Sequence, residues 1–173
     1  MKLIDSRERY RCPIFWVTED TLAARDGKPV KRAVVRHAGS AVVLPIDAEG
    51  RLMLIRQYRW PAKRVIWELC AGRIDPGETP LAAAKRELRE ETGLRARRWQ
   101  RATRFYASPG FLDEQMNLYI ATELTQGPRE SHEDEEIDVH WFTAAQVRQM
   151  LAKGQIVDAK ALIGVLLHLE SLR

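Results

Sequence analysis

The sequence predicts an α/β protein, a mixed sheet with helices on both faces, preceded by a small antiparallel sheet. Three observations point there. Short apolar runs separated by turn residues fill the first part of the chain, as strands do. One strongly helical segment near the middle is followed by further strands instead of ending them. The C-terminal part then reads as helical. At 173 residues the chain suits one domain with a small appendage, and it is long enough to bury a full core.

Taken in order, residues 14–18, 21–24 and 30–36 read as strands, and the Asp26-Gly27 tip favours a hairpin between the last two. Residues 1–37 are therefore expected to form a small antiparallel sheet, and residues 38–173 the main domain. The front section has too little apolar content to stand alone, so it must pack on something. Residues 41–45 and 52–58 follow as strands joined by a turn ending in Gly50. Residues 65–69 form another apolar strand. Thr79 at the N-cap and Pro80 at the first helical position start a helix. It runs over 81–92 through good helix formers, and Gly93 suits the left-handed position that closes it. Leu81, Ala84 and Leu88 share one stripe and should face a core. Residues 99–106 and 116–124 read as strands around a Ser108-Pro109-Gly110 loop, and 139–142 as a short strand. Thr143 with Gln146 fits a capping box, so a helix runs to about Lys153. A last helix starts near Asp158, its apolar surface supplied by Ile163, Leu166, Leu167 and Leu169.

Composition narrows the setting. Hydrophobic residues make up 45%, an ordinary globular value. Cys12 and Cys70 have neither metal-ligand nor disulfide spacing, so a reducing cytoplasm is expected. The N-terminus lacks an apolar signal region, and no apolar run is long enough to span a bilayer. The net charge is +4 and the pI about 9.3. Arg95, Arg97, Arg98, Arg101 and Arg104 form the main basic cluster. It reads as a solvated strand face or a phosphate- or RNA-facing patch. No aromatic-interleaved RNA motif accompanies it, so no nucleic-acid partner is expected.

The chemistry concentrates in residues 72–94, GRIDPGETPLAAAKRELREETGL. On the helix, Glu87, Glu90 and Glu91 share an arc of roughly 100°. Glu87 and Glu91 stand four apart, where like charges repel. Hard divalent cations relieve such a cluster, and Mg²⁺ and Mn²⁺ prefer carboxylate oxygens. Arg86 reaches Glu90 one turn on and can hold that carboxylate in place. The spacing is Gly72, Glu78, Arg86-Glu87-Leu88, Glu90-Glu91, Gly93. By chance it arises at one start point with a probability of roughly 10⁻⁸ to 10⁻⁹.

This stretch resembles the full Nudix box of hydrolases that cleave nucleoside diphosphates linked to another moiety. Beyond it the chain is most similar to the ADP-ribose pyrophosphatases. Arg56-Gln57-Tyr58-Arg59, Trp67-Glu68-Leu69-Cys70-Ala71-Gly72, Pro109 sixteen positions after Gly93, the acidic run at residues 133–137 and Gly154-Gln155-Ile156-Val157-Asp158-Ala159-Lys160 carry that likeness. Cys70 stands where the subfamily usually has proline. The resemblance implies an α/β/α sandwich and metal-dependent hydrolysis of ADP-ribose to AMP and ribose 5-phosphate. The Ala71 carbonyl, Glu87, Glu90 and Glu91 would hold Mg²⁺, with Mn²⁺ as a substitute. Glu133, or next Glu135, would be the base, with Glu90 and Arg86 completing the catalytic set. Arg36, Arg59, Arg56, Glu68 and Pro109 would face the substrate, and Phe15 and Trp16 would stack on its adenine. The resemblance also implies a homodimer joined through the N-terminal sheet. Other nucleoside diphosphate sugars (GDP-mannose, ADP-glucose) are the alternative substrates. More distant alternatives are an RNA 5′ end or a non-catalytic sensor of ADP-ribose.

Overall fold

The computed structural model describes residues 1–129 and 136–172. The chain opens with β1 (Lys2–Arg11), β2 (Phe15–Ala23) and β3 (Pro29–His37), an antiparallel sheet in that order. Two details depart from the sequence reading. Residues 2–11 are a strand although they bury nothing, and residues 14–18 and 21–24 belong to the single strand β2. The polar Glu19-Asp20 pair reads as a break. Asp20 is nevertheless buried, with its carboxylate taking the Ser6 hydroxyl at 2.7 Å and the Arg36 guanidinium.

The rest of the chain is layered. β4 (Ser40–Pro45), β7 (Cys70–Arg73), β8 (Leu94–Tyr106) and β9 (Gln115–Gln126) form a mixed sheet in the order β7-β4-β9-β8, with β4 and β9 parallel. β5 (Leu52–Arg59), β6 (Arg64–Glu68) and β10 (Ile137–Phe142) form an antiparallel sheet in the order β10-β5-β6. Among the described residues three α-helices complete it: α1 (Pro80–Thr92), α2 (Ala144–Ala152) and α3 (Ala159–Ser171).

β4 shows why the layers form. Every one of its residues is buried, so both of its faces are covered. Ala41 and Val43 point to one side, where Ala83, Ala84 and Leu88 of α1 pack with Met53 and Ile55. Val42 and Leu44 point to the other, against Val147 and Met150 of α2 and Ala161, Val165 and Leu169 of α3. The result is the expected α/β/α sandwich.

The helix ends follow their caps. Thr79 Oγ1 accepts from the Ala82 amide at 3.2 Å, and Gly93 closes α1 at φ +74°. The Thr143–Gln146 capping box starts α2, and Asp158 caps α3 by accepting from the Ala161 amide.

Two junctions place the site. The loop before β9 holds the N-terminal sheet: the Val35 amide donates to Phe111 at 2.7 Å, and Asp113 accepts from the His37 amide and from Arg36. Leu69, fully buried, is the one residue between β6 and β7. The chain there passes from one sheet to the other, where the sequence reads as a single apolar strand over 65–69.

Candidate active site

β7 and α1 build the centre of the site. β7 pairs antiparallel with β4, placing Ala71 opposite Val42 and Gly72 opposite Ala41. Gly72 has no side chain for a reason: a Cβ there would lie 1.9 Å from Glu87 Oε1. The Glu87 carboxylate thus rests on the bare backbone beside Ala71. Replacing Gly72 by alanine should displace that carboxylate while costing little stability, because the atoms in conflict are the end of a flexible side chain. A misplacement of about 1 Å can cost about 100-fold in rate. We expect Gly72→Ala to lower turnover by that order with a nearly unchanged melting temperature, read by steady-state kinetics beside thermal unfolding.

Arg86 organises the carboxylates. Its Nε and Nη2 donate to the two oxygens of Glu78 at 3.1 and 2.9 Å, and Nη2 also reaches the Arg73 carbonyl at 2.9 Å. Its Nη1 donates to Glu87 at 2.6 Å and to Glu90 at 3.2 Å. The Glu78 hydrogen bond, with those to Glu87 and Glu90, raises the Arg86 pKa further above its already high ordinary value. The same hydrogen bond holds the Glu78 carboxyl below the usual range. The i,i+4 contact with Glu90 is the one expected from the sequence, whereas helical spacing does not predict the pairs with Glu78 and Glu87.

Glu91 is buried on the core side of this arc. The Cys70 thiol, fully buried, is pushed well up by its burial and by the charges of Glu91, Glu87 and Glu90. The residue that replaces the subfamily's proline therefore lies among the box carboxylates as a neutral thiol.

A second charged cluster lies across Leu69. Glu68 is only 1% exposed and takes both Nε and Nη2 of Arg59, at 2.6 and 2.9 Å. Lys160 of α3 donates to the same carboxylate at 2.5 Å and to Asp158 at 3.0 Å. Burial pushes the Glu68 carboxyl up, but Arg59 and Lys160 more than offset it and hold it below the ordinary value. Arg59 and Glu68, both expected from the sequence to face the substrate, also bind each other. Lys160 was legible only as part of a motif, because its partner is 92 residues away in sequence.

The other candidates are more scattered. Arg56 lies over the Trp67 ring at 5.7 Å and lines two clefts of about 380 and 400 Å³. Arg36 is engaged by Thr18, Asp20 and Asp113, and so ties the N-terminal sheet to the main domain. Trp16 carries the Arg11 guanidinium at 4.8 Å, and Phe15 packs on Tyr10 at 6.0 Å. Pro109 is exposed in the loop that clasps β3. Glu133 and Glu135 lie outside the described residues.

Known proteins resemble this chain in sequence and fold. Residues 35–163 match the NUDIX domain family model, a span that takes in the Gly72 cradle and all of α1. The chain belongs to the Nudix family. Among Nudix relatives, an ADP-ribose pyrophosphatase of Bacillus subtilis (strain 168) is 39% identical over 137 residues, covering 78% of this chain and 74% of the relative. An ADP-ribose pyrophosphatase of Mycobacterium tuberculosis (strain ATCC 25618 / H37Rv) is 36% identical over 166 residues, covering 94% and 80%. A crystal structure described as an ADP compounds hydrolase superposes with a TM-score of 0.83 at 25% identity, covering 99% of this chain and 93% of that one. The protein is a Nudix hydrolase.

Nudix ADP-ribose pyrophosphatases are generally dependent on divalent metals. The donor chemistry here suits a hard cation, since Glu87, Glu90, Glu91 and the Ala71 carbonyl offer only oxygen. Among the described residues, no group of three or more His, Cys, Asp or Glu side chains is gathered as a metal site. The Arg86 guanidinium takes oxygens of both Glu87 and Glu90. Also among the described residues, no helix is long and apolar enough to cross a membrane.

Proposed function

We propose that this Nudix hydrolase cleaves the diphosphate of ADP-ribose to AMP and ribose 5-phosphate. The observation that carries the reading is the Glu87 carboxylate seated on Gly72, with Glu90 and Glu91 on the same helix. The names and coverage of the relatives above support the choice of substrate.

The Ala71 carbonyl, Glu87, Glu90 and Glu91 would hold Mg²⁺, with Mn²⁺ able to substitute. Such ions, when bound, neutralise diphosphate charge and lower the pKa of water. Arg86 positions Glu87 and Glu90. Arg59 and Arg56 bind phosphate oxygens, a task suited to a planar guanidinium. Water attacks one phosphorus in line, the bridging P–O bond breaks, and the water proton passes to an acidic-loop carboxylate. Glu133 is the first choice for that base and Glu135 the second. Phe15 and Trp16 stack on adenine, and Arg36 and Pro109 border the distal part of the substrate. The two reduced cysteines suit a cytoplasmic enzyme.

The test is turnover in Mg²⁺ across ADP-ribose, GDP-mannose, ADP-glucose and 5′-triphosphorylated RNA. ADP-ribose is expected to give the highest kcat/KM. Turnover of RNA or GDP-mannose with none of ADP-ribose would overturn the reading, and tight ADP-ribose binding without hydrolysis would make the protein a sensor.

We also infer that residues 1–37 are a dimerisation arm. β1 leaves Leu3, Ile4 and Tyr10 more than half exposed, at 53%, 59% and 56%, which suits a second copy as the cover. Sedimentation equilibrium should give a dimer, and Leu3→Lys/Ile4→Lys a monomer.

A further inference from the structure

On the far side of α1 from the Gly72 cradle, a pocket of about 250 Å³ opens between α1 and β8. It is lined by Lys85, Arg89, Arg95, Ala96 and Trp99. At 100° per residue, Lys85 and Arg89 share one face of the helix, while Glu87 and Glu91 lie on the opposite side. Three cations therefore converge on one compartment. Arg89 reaches Glu90 at 3.7 Å. Among the described residues, no hydrogen bond or ion pair engages the Lys85 ammonium or the Arg95 guanidinium. The wall between them is aromatic and fixed. Trp99 donates its Nε1–H to the Ala96 carbonyl at 3.0 Å and meets Tyr119 edge-on at 6.4 Å.

We propose that this pocket is a second binding site, for a nucleoside monophosphate. Arginine and lysine donors are the usual partners of a phosphate group. A partly buried indole whose own N–H is already satisfied offers a π-face to a base. The volume suits one nucleotide. A longer strand would instead use the arginines spread along β8, namely Arg97, Arg98, Arg101 and Arg104, which do not line this compartment. The site shares α1 with the box carboxylates, and Arg89 contacts Glu90. Its ligand is thus placed to influence the catalytic face without occupying it. The proposal does not depend on the substrate reading above.

The indole N–H resonances of the five tryptophans give a site-resolved readout, with Trp99 assigned from Trp99→Phe. AMP is titrated into the full chain in EDTA, in parallel with adenosine, inorganic phosphate and a short single-stranded RNA. The Trp99 signal should move saturably with AMP, and adenosine or phosphate alone should need about tenfold more. Lys85→Ala/Arg95→Ala, both exposed positions, should raise the AMP midpoint about tenfold. Glu87→Gln should leave it unchanged. A Trp99 signal that ignores AMP would overturn the proposal, as would an unchanged midpoint in the double variant or a shifted one in Glu87→Gln. Phosphate matching AMP would reduce the site to an anion site, and RNA saturating before AMP would make it a strand-binding surface. Either outcome overturns the nucleotide reading.

Discussion

Glu87→Gln is expected to lower kcat by about a thousandfold, equivalent to about 4 kcal/mol of lost transition-state stabilisation. Glutamine keeps the shape of the side chain, so it still fits over Gly72, where there is no Cβ to meet it. Its amide oxygen can still accept from Arg86 Nη1, which now donates to Glu87 at 2.6 Å. What disappears is the negative charge on which cation binding would depend. The variant should therefore unfold at nearly the wild-type temperature and need more Mg²⁺ for half-maximal residual rate. Near-normal turnover at ordinary Mg²⁺ would remove Glu87 from the metal set. A large drop in melting temperature would show that its role is structural.

Glu68→Gln should act on stability instead. The carboxylate is buried between Arg59 and Lys160, and its charge is what balances them. Removing one partner of a buried ion pair typically costs 3–5 kcal/mol, because the remaining charge is left uncompensated. Arg59 is 40% exposed and can turn to water, whereas Lys160 is only 11% exposed. The lower figure of about 3 kcal/mol is therefore expected, lowering the melting temperature by about 10 °C. Lys160→Met in the same chain should recover part of the loss, and a double-mutant cycle measures how much.

The pH dependence has a definite sign. Arg59 and Lys160 hold the folded Glu68 pKa below its unfolded value. The stabilisation is thus complete above the unfolded carboxyl pKa and is lost as pH falls through the folded one. Urea unfolding of wild type should weaken on acidification more steeply than that of Glu68→Gln.

What could be read in advance divides along physical lines. α1 was legible because its signals are local: Thr79 caps it, Gly93 ends it, and Ala84 and Leu88 mark its buried stripe. The Thr143 capping box was legible for the same reason. β1 was not, since a strand exposed along its whole length carries no apolar alternation. β7 was hidden because it is short and contains the box glycine, and β8 starts earlier than expected because Arg95, Arg97 and Arg98 disguise its first residues. At the site, the carboxylate arc followed from helical spacing alone. The grip of Arg86 on Glu78 spans eight residues and a loop, and that of Lys160 on Glu68 spans most of the domain. Such contacts exist only once the layers have met. The two proposed bases, Glu133 and Glu135, fall outside the described residues and rest on the motif alone.

The position of the Arg86 guanidinium bears on the order of events in the life of the chain. Because a built-in counter-ion already quiets Glu78, Glu87 and Glu90, folding does not have to wait for an inorganic one. A cation held there would be loaded onto a polypeptide that has already folded, unlike in a zinc finger, which collapses when its ion is withdrawn. Chelation should then switch the catalyst off reversibly while leaving its architecture standing.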